Sequence, residues 1–449
     1  MIATWIISGA LAATILLLVV TPVLPTIVSA TMVLVPLLAP AMTAFGLVAI
    51  GWLRVKNPAI AGPDPYPVEI GWLVVLSALV GGALLASRRR LPGYLVWFWL
   101  YIALVMVSAM FTSQVLLISL MKAAVLVTGV TTVFIAVSAL GEGQAAAERV
   151  GRILEITFLG VTLASLPLLA WPSVGFALNS TGFQSFVSQP QAFAVIYSPL
   201  VAWYVAYALV DRRRADLQGL LLCVVGVAVV LATDSRTGLL AVILGLLAAI
   251  IASALRGGRA ARRGLAALFG IVAVVVAVVT LAGGTAVDWL VTFVVKSDEA
   301  DLSVESALSS RALLLELGWA NFQQNPVLGI GFGMPSLPSA LSVAAVGPMG
   351  IPLSVPIEKG NGFLQVLEET GVVGASVLLV FLFRFAGAAL RSGSAAMFAL
   401  WVGAIAVNMG EAVLMSLGGV GLLTWLYMAL STVGGNQPGQ PGWLVLWRA

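Results

Sequence analysis

Apolar stretches of about twenty residues, separated by short polar breaks, run along most of the chain from Ile2 to Tyr427. A helix rises 1.5 Å per residue, so a stretch of that length matches the hydrocarbon core of a bilayer and is predicted to cross it. Cutting at the polar breaks gives spans at about 3–23, 30–53, 69–87, 93–111, 114–138, 154–170, 191–210, 217–233, 237–255, 264–283, 371–390, 394–417 and 419–432. Pro22, Pro25, Pro36 and Pro40 interrupt the long apolar stretch of the first 53 residues and predict a broken or re-entrant element. The first stretch carries no small-residue cleavage signature and is read as a retained span. The expected fold class is an all-α polytopic membrane protein with about 12–13 transmembrane helices. Residues 1–283 would form an N-terminal bundle of about ten spans, 284–370 an extramembrane segment, and 371–449 the C-terminal helices.

Composition sharpens this picture. Apolar residues make up 61% of the chain and charged ones 9%, against roughly a quarter charged in a soluble domain. That excludes a water-soluble enzyme, and no nucleic-acid partner is expected. The single cysteine, Cys223, rules out an intrachain disulfide and a cysteine-rich metal site. With no His in the chain, a general base must come mainly from Asp, Glu, Lys or Tyr.

Charge placement predicts orientation. Arg88 to Arg90, Arg212 to Arg214, Arg256 to Arg263, Arg149, Arg152, Arg384 and Arg391 fall on one side and hold fourteen of the 22 basic residues. Cytoplasmic loops collect Lys and Arg, so that side is expected to be cytoplasmic. The segment 284–370 then lies outside, with nine acids against the three bases Lys296, Arg311 and Lys359. A loop of that length is usually functional. Ser309-Ser310 is expected to cap a helix running to about Gln324, ended by Asn325-Pro326, and lying on the outer membrane surface or packed on the bundle.

Several polar constellations interrupt the apolar pattern. Thr233-Asp234-Ser235-Arg236-Thr237-Gly238 falls between two spans, where charges are costly unless paired or functional; a plain Asp234 to Arg236 ion pair at a tight turn is the simpler reading. Gly329, Gly331 and Gly333 permit close backbone approach to a ligand or a neighbouring helix, outside any βαβ fingerprint. Glu358, Lys359 and Asn361 precede Glu368-Glu369-Thr370-Gly371 at the outer boundary, where Glu368 and Glu369 fit equally well as solvated carboxylates near a helix end. Glu411 falls within the span 394–417 and would face inward, while Lys122, also within a span, would pair with a buried acid or snorkel. Phe183, Phe186 and Phe193 alternate with Gln184, Gln189 and Gln191, a pattern that suits stacking on sugars or an interfacial aromatic belt.

Taken together these residues resemble the O-antigen ligase and polysaccharide polymerase superfamily, and within it the exopolysaccharide polymerase-like branch. The resemblance rests on Ser188-Gln189-Pro190-Gln191, Ser235-Arg236-Thr237, Ser309-Ser310-Arg311, Asn325-Pro326 with Gly329 to Gly333, Glu358 to Asn361, and Leu367 to Gly371, and is strongest over 180–425. It implies a membrane glycosyltransferase (GT-C-like) bundle under one long periplasmic loop, in the bacterial cytoplasmic membrane. It further implies transfer of a glycan from undecaprenyl diphosphate to an acceptor hydroxyl on the periplasmic face, without metal, nucleotide sugar or other cofactor. Many ligases in the superfamily have His where Gly360 stands, and relatives often have His at the position of Gln189; both absences favour a polymerase.

The leading expectation is therefore an inverting polymerase acting on lipid-linked repeat units. Arg236 and Arg311 would hold the departing diphosphate and Glu358 would take the acceptor proton, with Glu368, Glu369 and Glu411 as further carboxylates at the substrate. Lys359, Asn361, Gln189 and Gln191 would bind substrate. Membrane lipids and polysaccharide export or chain-length proteins are the candidate partners. The alternatives are a ligase, which differs only in acceptor, and a lipid-linked oligosaccharide or anion transporter, which should show internal repeats around a midplane site.

Overall fold

The computed structural model describes residues 91–176, 182–211, 216–257, 262, 265–266, 269–270, 304–337, 345–346, 352–354, 359–416 and 420–434. Its helices are α1 (Leu95–Thr112), α2 (Leu116–Ala139), α3 (Gln144–Leu169), the single turn α4 (Pro172–Gly175), α5 (Pro190–Val205), α6 (Leu217–Ala232), α7 (Arg236–Arg256), α8 (Val304–Gln324), α9 (Gly362–Arg391), α10 (Ala395–Ala406) and α11 (Val420–Leu430). A π-turn, Ala206–Val210, extends α5, and a 3-10 turn, Val407–Met409, extends α10. Two short antiparallel strands, β1 (Ala345–Val346) and β2 (Pro352–Ser354), pair between α8 and α9.

Among the described residues six helices are long and apolar enough to cross a membrane, and α6, α10 and α11 are shorter apolar helices. The chain is an all-α polytopic membrane protein. The expected spans before residue 91, and most of 264–283, lie outside the described residues.

Helix α5 is apolar all round and 89% of its span is buried, whereas α3 buries 28% of its own. A helix without a polar face belongs in the centre of a bundle. Around α5, small residues let backbones approach. A Cβ on Gly245 of α7 would come within 2.8 Å of the Ala202 Cβ and 2.9 Å of the Ala399 carbonyl oxygen, which ties α5, α7 and α10 together. On the other side α1 meets α2, α9 and α11 through Phe98, Phe134, Phe381, Phe385 and Trp425 with neighbouring Tyr94. Outward-facing Leu163, Leu221, Val224, Ile251, Leu379 and Phe383 are exposed, as a lipid-facing perimeter requires.

At one end of the bundle the Asp211 carboxylate accepts from the Ser394 hydroxyl at 2.7 Å and from the Ala395 and Ala396 backbone N–H groups at 3.2 Å, capping α10. Arg256 donates to the Leu390 carbonyl there, and Arg149 donates to the Leu140 carbonyl. The polar constellations sit at the opposite end.

Two expected boundaries move. α8 starts at Val304, so Ser309 and Ser310 lie inside the helix and do not cap it. α10 stops at Ala406, its 3-10 turn ends at Met409 and residues 410–416 are not helical, so Glu411 lies beyond a helix end and not within a span.

Candidate active site

Segments far apart in sequence meet at this end. Gly182 packs against the Thr233 carbonyl and Pro190, Gly410 packs against Thr237, and Gly362 packs against Asn408. Phe183 N–H donates to the Ala232 carbonyl at 2.8 Å. The constellations at 182–193, 232–238, 326–336, 359–371 and 408–411 therefore form one continuous region.

Its centre is a break in α9. Gly371 has φ 64°, and across it the helical ladder opens. Val372 N–H donates to the Pro326 carbonyl at 2.8 Å and Val373 N–H to the Val327 carbonyl at 3.4 Å, while the carbonyls of Glu368 and Glu369 accept from Ile330 and Gly331 at 2.8 and 3.2 Å. The loop 326–331 thus supplies partners for both sides of the interruption. A broken helix survives at membrane depth only when its backbone groups are bonded within the protein. Ser108 of α1 adds a hydroxyl 2.7 Å from the Leu328 carbonyl and 3.1 Å from that of Glu369.

The glycines are used for this docking. Gly329, Gly331 and Gly333 all have positive φ. A Cβ would come within 2.5 Å of the Glu368 carbonyl oxygen at Gly329, within 2.7 Å of the Ser113 Cα at Gly331, and onto the Lys122 side chain at Gly333. Of the two uses expected for them, the structure shows close approach to neighbouring helices.

Two carboxylates lie beneath the loop. Glu368 and Glu369 are each 1% exposed, so neither is a solvated carboxylate near a helix end. Glu368 accepts from Lys359 Nζ at 2.5 Å, Asn321 Nδ2 at 2.7 Å and the Ser336 hydroxyl at 3.1 Å. Glu369 accepts from Gln365 Nε2 at 2.8 Å and Gly333 N–H at 2.9 Å, with Lys359 Nζ 4.0 Å away. Lys122 donates to the Gly333 carbonyl at 3.1 Å. Lys122 is half-buried and so sits against the same loop residue whose N–H donates to Glu369. The Lys359 ammonium group and the donors from Asn321, Ser336, Gln365 and Gly333 make burial of the two carboxylates tolerable, since buried charges must be paired and hydrogen-bonded.

Beside this cluster Arg236 begins α7 behind Ser235, whose hydroxyl caps the helix by accepting from Gly238 N–H at 3.1 Å. Asp234 sits at φ 52° in the preceding turn. Asn361 caps α9 by accepting from Phe363 and Leu364 N–H, and its amide donates to the Met409 carbonyl at 2.7 Å. The starts of α7 and α9 are therefore both held against the 408–410 turn, and the N-terminal ends of helices suit anions.

The remaining expected residues divide. Gln189 is exposed at the start of α5 and Gln191 is half-buried in its first turn. Glu411 is half-buried, and Arg311 lies within α8. Glu358 lies outside the described residues. The aromatic reading of 183–193 is corrected. Phe183 and Phe193 are fully buried, with Phe183 against Phe176 and Phe193 stacked on Tyr197, so they face the bundle core and not a sugar or the membrane interface. Asn321, Ser336, Gln365 and Ser108 went unforeseen. Each is a single polar residue in an ordinary setting, and only the fold gives it a charged or backbone partner.

Compared with known proteins, residues 221–379 match the family described as O-Antigen ligase. No curated protein matches the chain. The matched stretch contains Arg236, Arg311, the 326–333 loop, Lys359, Asn361 and both buried glutamates. Over this stretch, about a third of its length, the chain is similar to the O-Antigen ligase family.

Proposed function

We propose that the protein is a polysaccharide polymerase of the bacterial cytoplasmic membrane. It transfers a growing glycan from undecaprenyl diphosphate to a hydroxyl of a lipid-linked repeat unit on the periplasmic face, with inversion and without metal. In this reading residues 1–283 and 371–449 form the membrane bundle, and 284–370 is the periplasmic segment over the site.

The observation that carries the reading is the continuous polar region, among the described residues, at the bundle end opposite Arg149 and Arg256, most of it within a stretch that matches O-Antigen ligase. The positive-inside rule supports a periplasmic position for it. The absence of His from the chain supports a polymerase over a histidine-dependent ligase.

The chemistry follows from charge. The acceptor oxygen attacks the anomeric carbon as its proton passes to Glu358. The bond from that carbon to the diphosphate oxygen breaks, and the electron pair leaves with the diphosphate. Arg236 and Arg311 take up the charge that develops on it, for which guanidinium groups are suited by their forked donors. Gln189, Gln191 and Asn361 orient sugar hydroxyls, and Glu411 lines the acceptor side. Purified protein in nanodiscs, given a synthetic undecaprenyl-diphosphate repeat unit alone, should yield a ladder of longer lipid-linked glycans. No product from a verified repeat unit would favour a ligase awaiting its acceptor or a transporter, and candidate acceptors would separate those two.

A further inference from the structure

The carboxylate of Glu368 is occupied by three protein groups from three separate places: Asn321 on α8, Ser336 beyond the glycine loop, and Lys359 just before α9. We infer that Glu368 is a positioning residue, a clamp that holds α8 and the chain just before α9 on α9 and thereby sets where Arg311 stands relative to Arg236. The catalytic consequence rests on the polymerase reading above; the clamp itself does not.

Geometry supports this in three steps. Asn321 lies ten residues after Arg311 in the same helix, about 15 Å along its axis, so fixing one end of α8 aims the other. The two helices already touch beside the clamp. A Cβ on Gly318 would meet Leu364 Cδ2 at 3.2 Å and Glu368 Oε2 at 3.3 Å. Lys359, 7% exposed and bonded to Glu368, lies just before α9, so the same carboxylate ties α8 and the approach to α9 together.

A carboxylate is suited to this task because its two oxygens offer about four acceptor sites and no donor. Glu368→Gln keeps the shape but points an NH2 group at other donors. The test uses Gly318→Cys with Leu364→Cys, in a chain whose Cys223 is replaced by Ser, and oxidises the pair in nanodiscs. With Glu368 present the cross-link should form readily. With Glu368→Gln it should form several-fold more slowly, kcat for the lipid-linked repeat unit should fall about a hundredfold, as small misplacements of reacting groups do, and KM should hold. Driving the cross-link to completion in the Glu368→Gln protein should then restore most of the lost kcat. Asn321→Ala, which leaves the Lys359 pair in place, should show the same pattern at smaller size and stands in if Glu368→Gln does not fold.

Cross-linking at the same rate with and without Glu368 would overturn the clamp. A completed cross-link that restores no kcat would overturn positioning in favour of a direct part in the reaction. If the wild-type protein makes no ladder, the polymerase reading fails, and the cross-linking rates still decide the clamp.

Discussion

The backbone N–H of Val372 donates to the Pro326 carbonyl at 2.8 Å, in place of the Glu368 carbonyl four residues behind it. This exchange opens α9 at Gly371, and Gly371 has no room for a side chain, because a Cβ there would strike the backbone of Val327. Its φ of 64° adds the ordinary cost of a left-handed residue, roughly 1–2 kcal/mol for Ala. Gly371→Ala should therefore lower the melting temperature clearly in detergent. Gly151 of α3 has open space around it, so Gly151→Ala is the control and should be neutral or stabilising by up to about 1 kcal/mol.

Asn361 does two separable things. Its carbonyl oxygen caps α9 and its NH2 group holds the 408–410 turn through Met409. Asn361→Ala should cost about 1 kcal/mol for the lost cap. Asn361→Asp should keep the cap and the melting temperature yet lose the donor to Met409, reducing chain extension. Equal melting temperatures with unequal product yields for Asn361→Asp and the parent would verify the division.

The buried pair makes a sharper thermodynamic test. Lys359 and Glu368 are each almost fully buried, so removing one leaves an uncompensated charge. Lys359→Met alone should destabilise by about 3–5 kcal/mol, and Lys359→Met with Glu368→Gln by less than the sum of the two single changes. Thermal unfolding of the four proteins measures that coupling; additive losses would deny it.

Spans between α1 and α7 were legible because one quantity decides them: a run long enough and apolar enough must cross, wherever it packs. The start of α9 was not. Hydropathy begins the span after the last charges, at residue 371, whereas the helix starts at Gly362 and carries Glu368 and Glu369 inward. Their burial depends on Asn321, which is 47 residues away, and on Lys359. α10 stops at Ala406 even though Val413, Leu414 and Met415 continue the apolar run, because the Asn408 side chain accepts from Leu414 N–H at 2.7 Å and turns the chain back. The aromatic stretch 183–193 misled for a similar reason: an alternating pattern cannot say which ring faces the core. Ser235-Arg236-Thr237 was placed correctly at the start of a helix, which Ser235 caps, because a capping hydroxyl before charged and polar residues leaves few alternatives in so apolar a sequence.

Orientation can be tested without any substrate. Gln189 is exposed at the polar end and Glu148 is exposed near Arg149 at the basic end. In a Cys223→Ser background, Gln189→Cys should react with a membrane-impermeant maleimide in spheroplasts, and Glu148→Cys only after the membrane is opened. The reverse pattern would put the polar region on the cytoplasmic side.

The most direct test of the account is the rate at which purified protein extends a lipid-linked repeat unit when Arg236 is changed. Arg236→Ala should lower kcat by about 10²–10³, the usual cost of losing one group that stabilises charge in the transition state. Arg236→Lys should recover only part of it, since a point charge replaces a forked donor. The folded yield of both variants should match the parent. An Arg236→Ala protein that extends glycans at the parent rate would contradict the assignment of the diphosphate to this site.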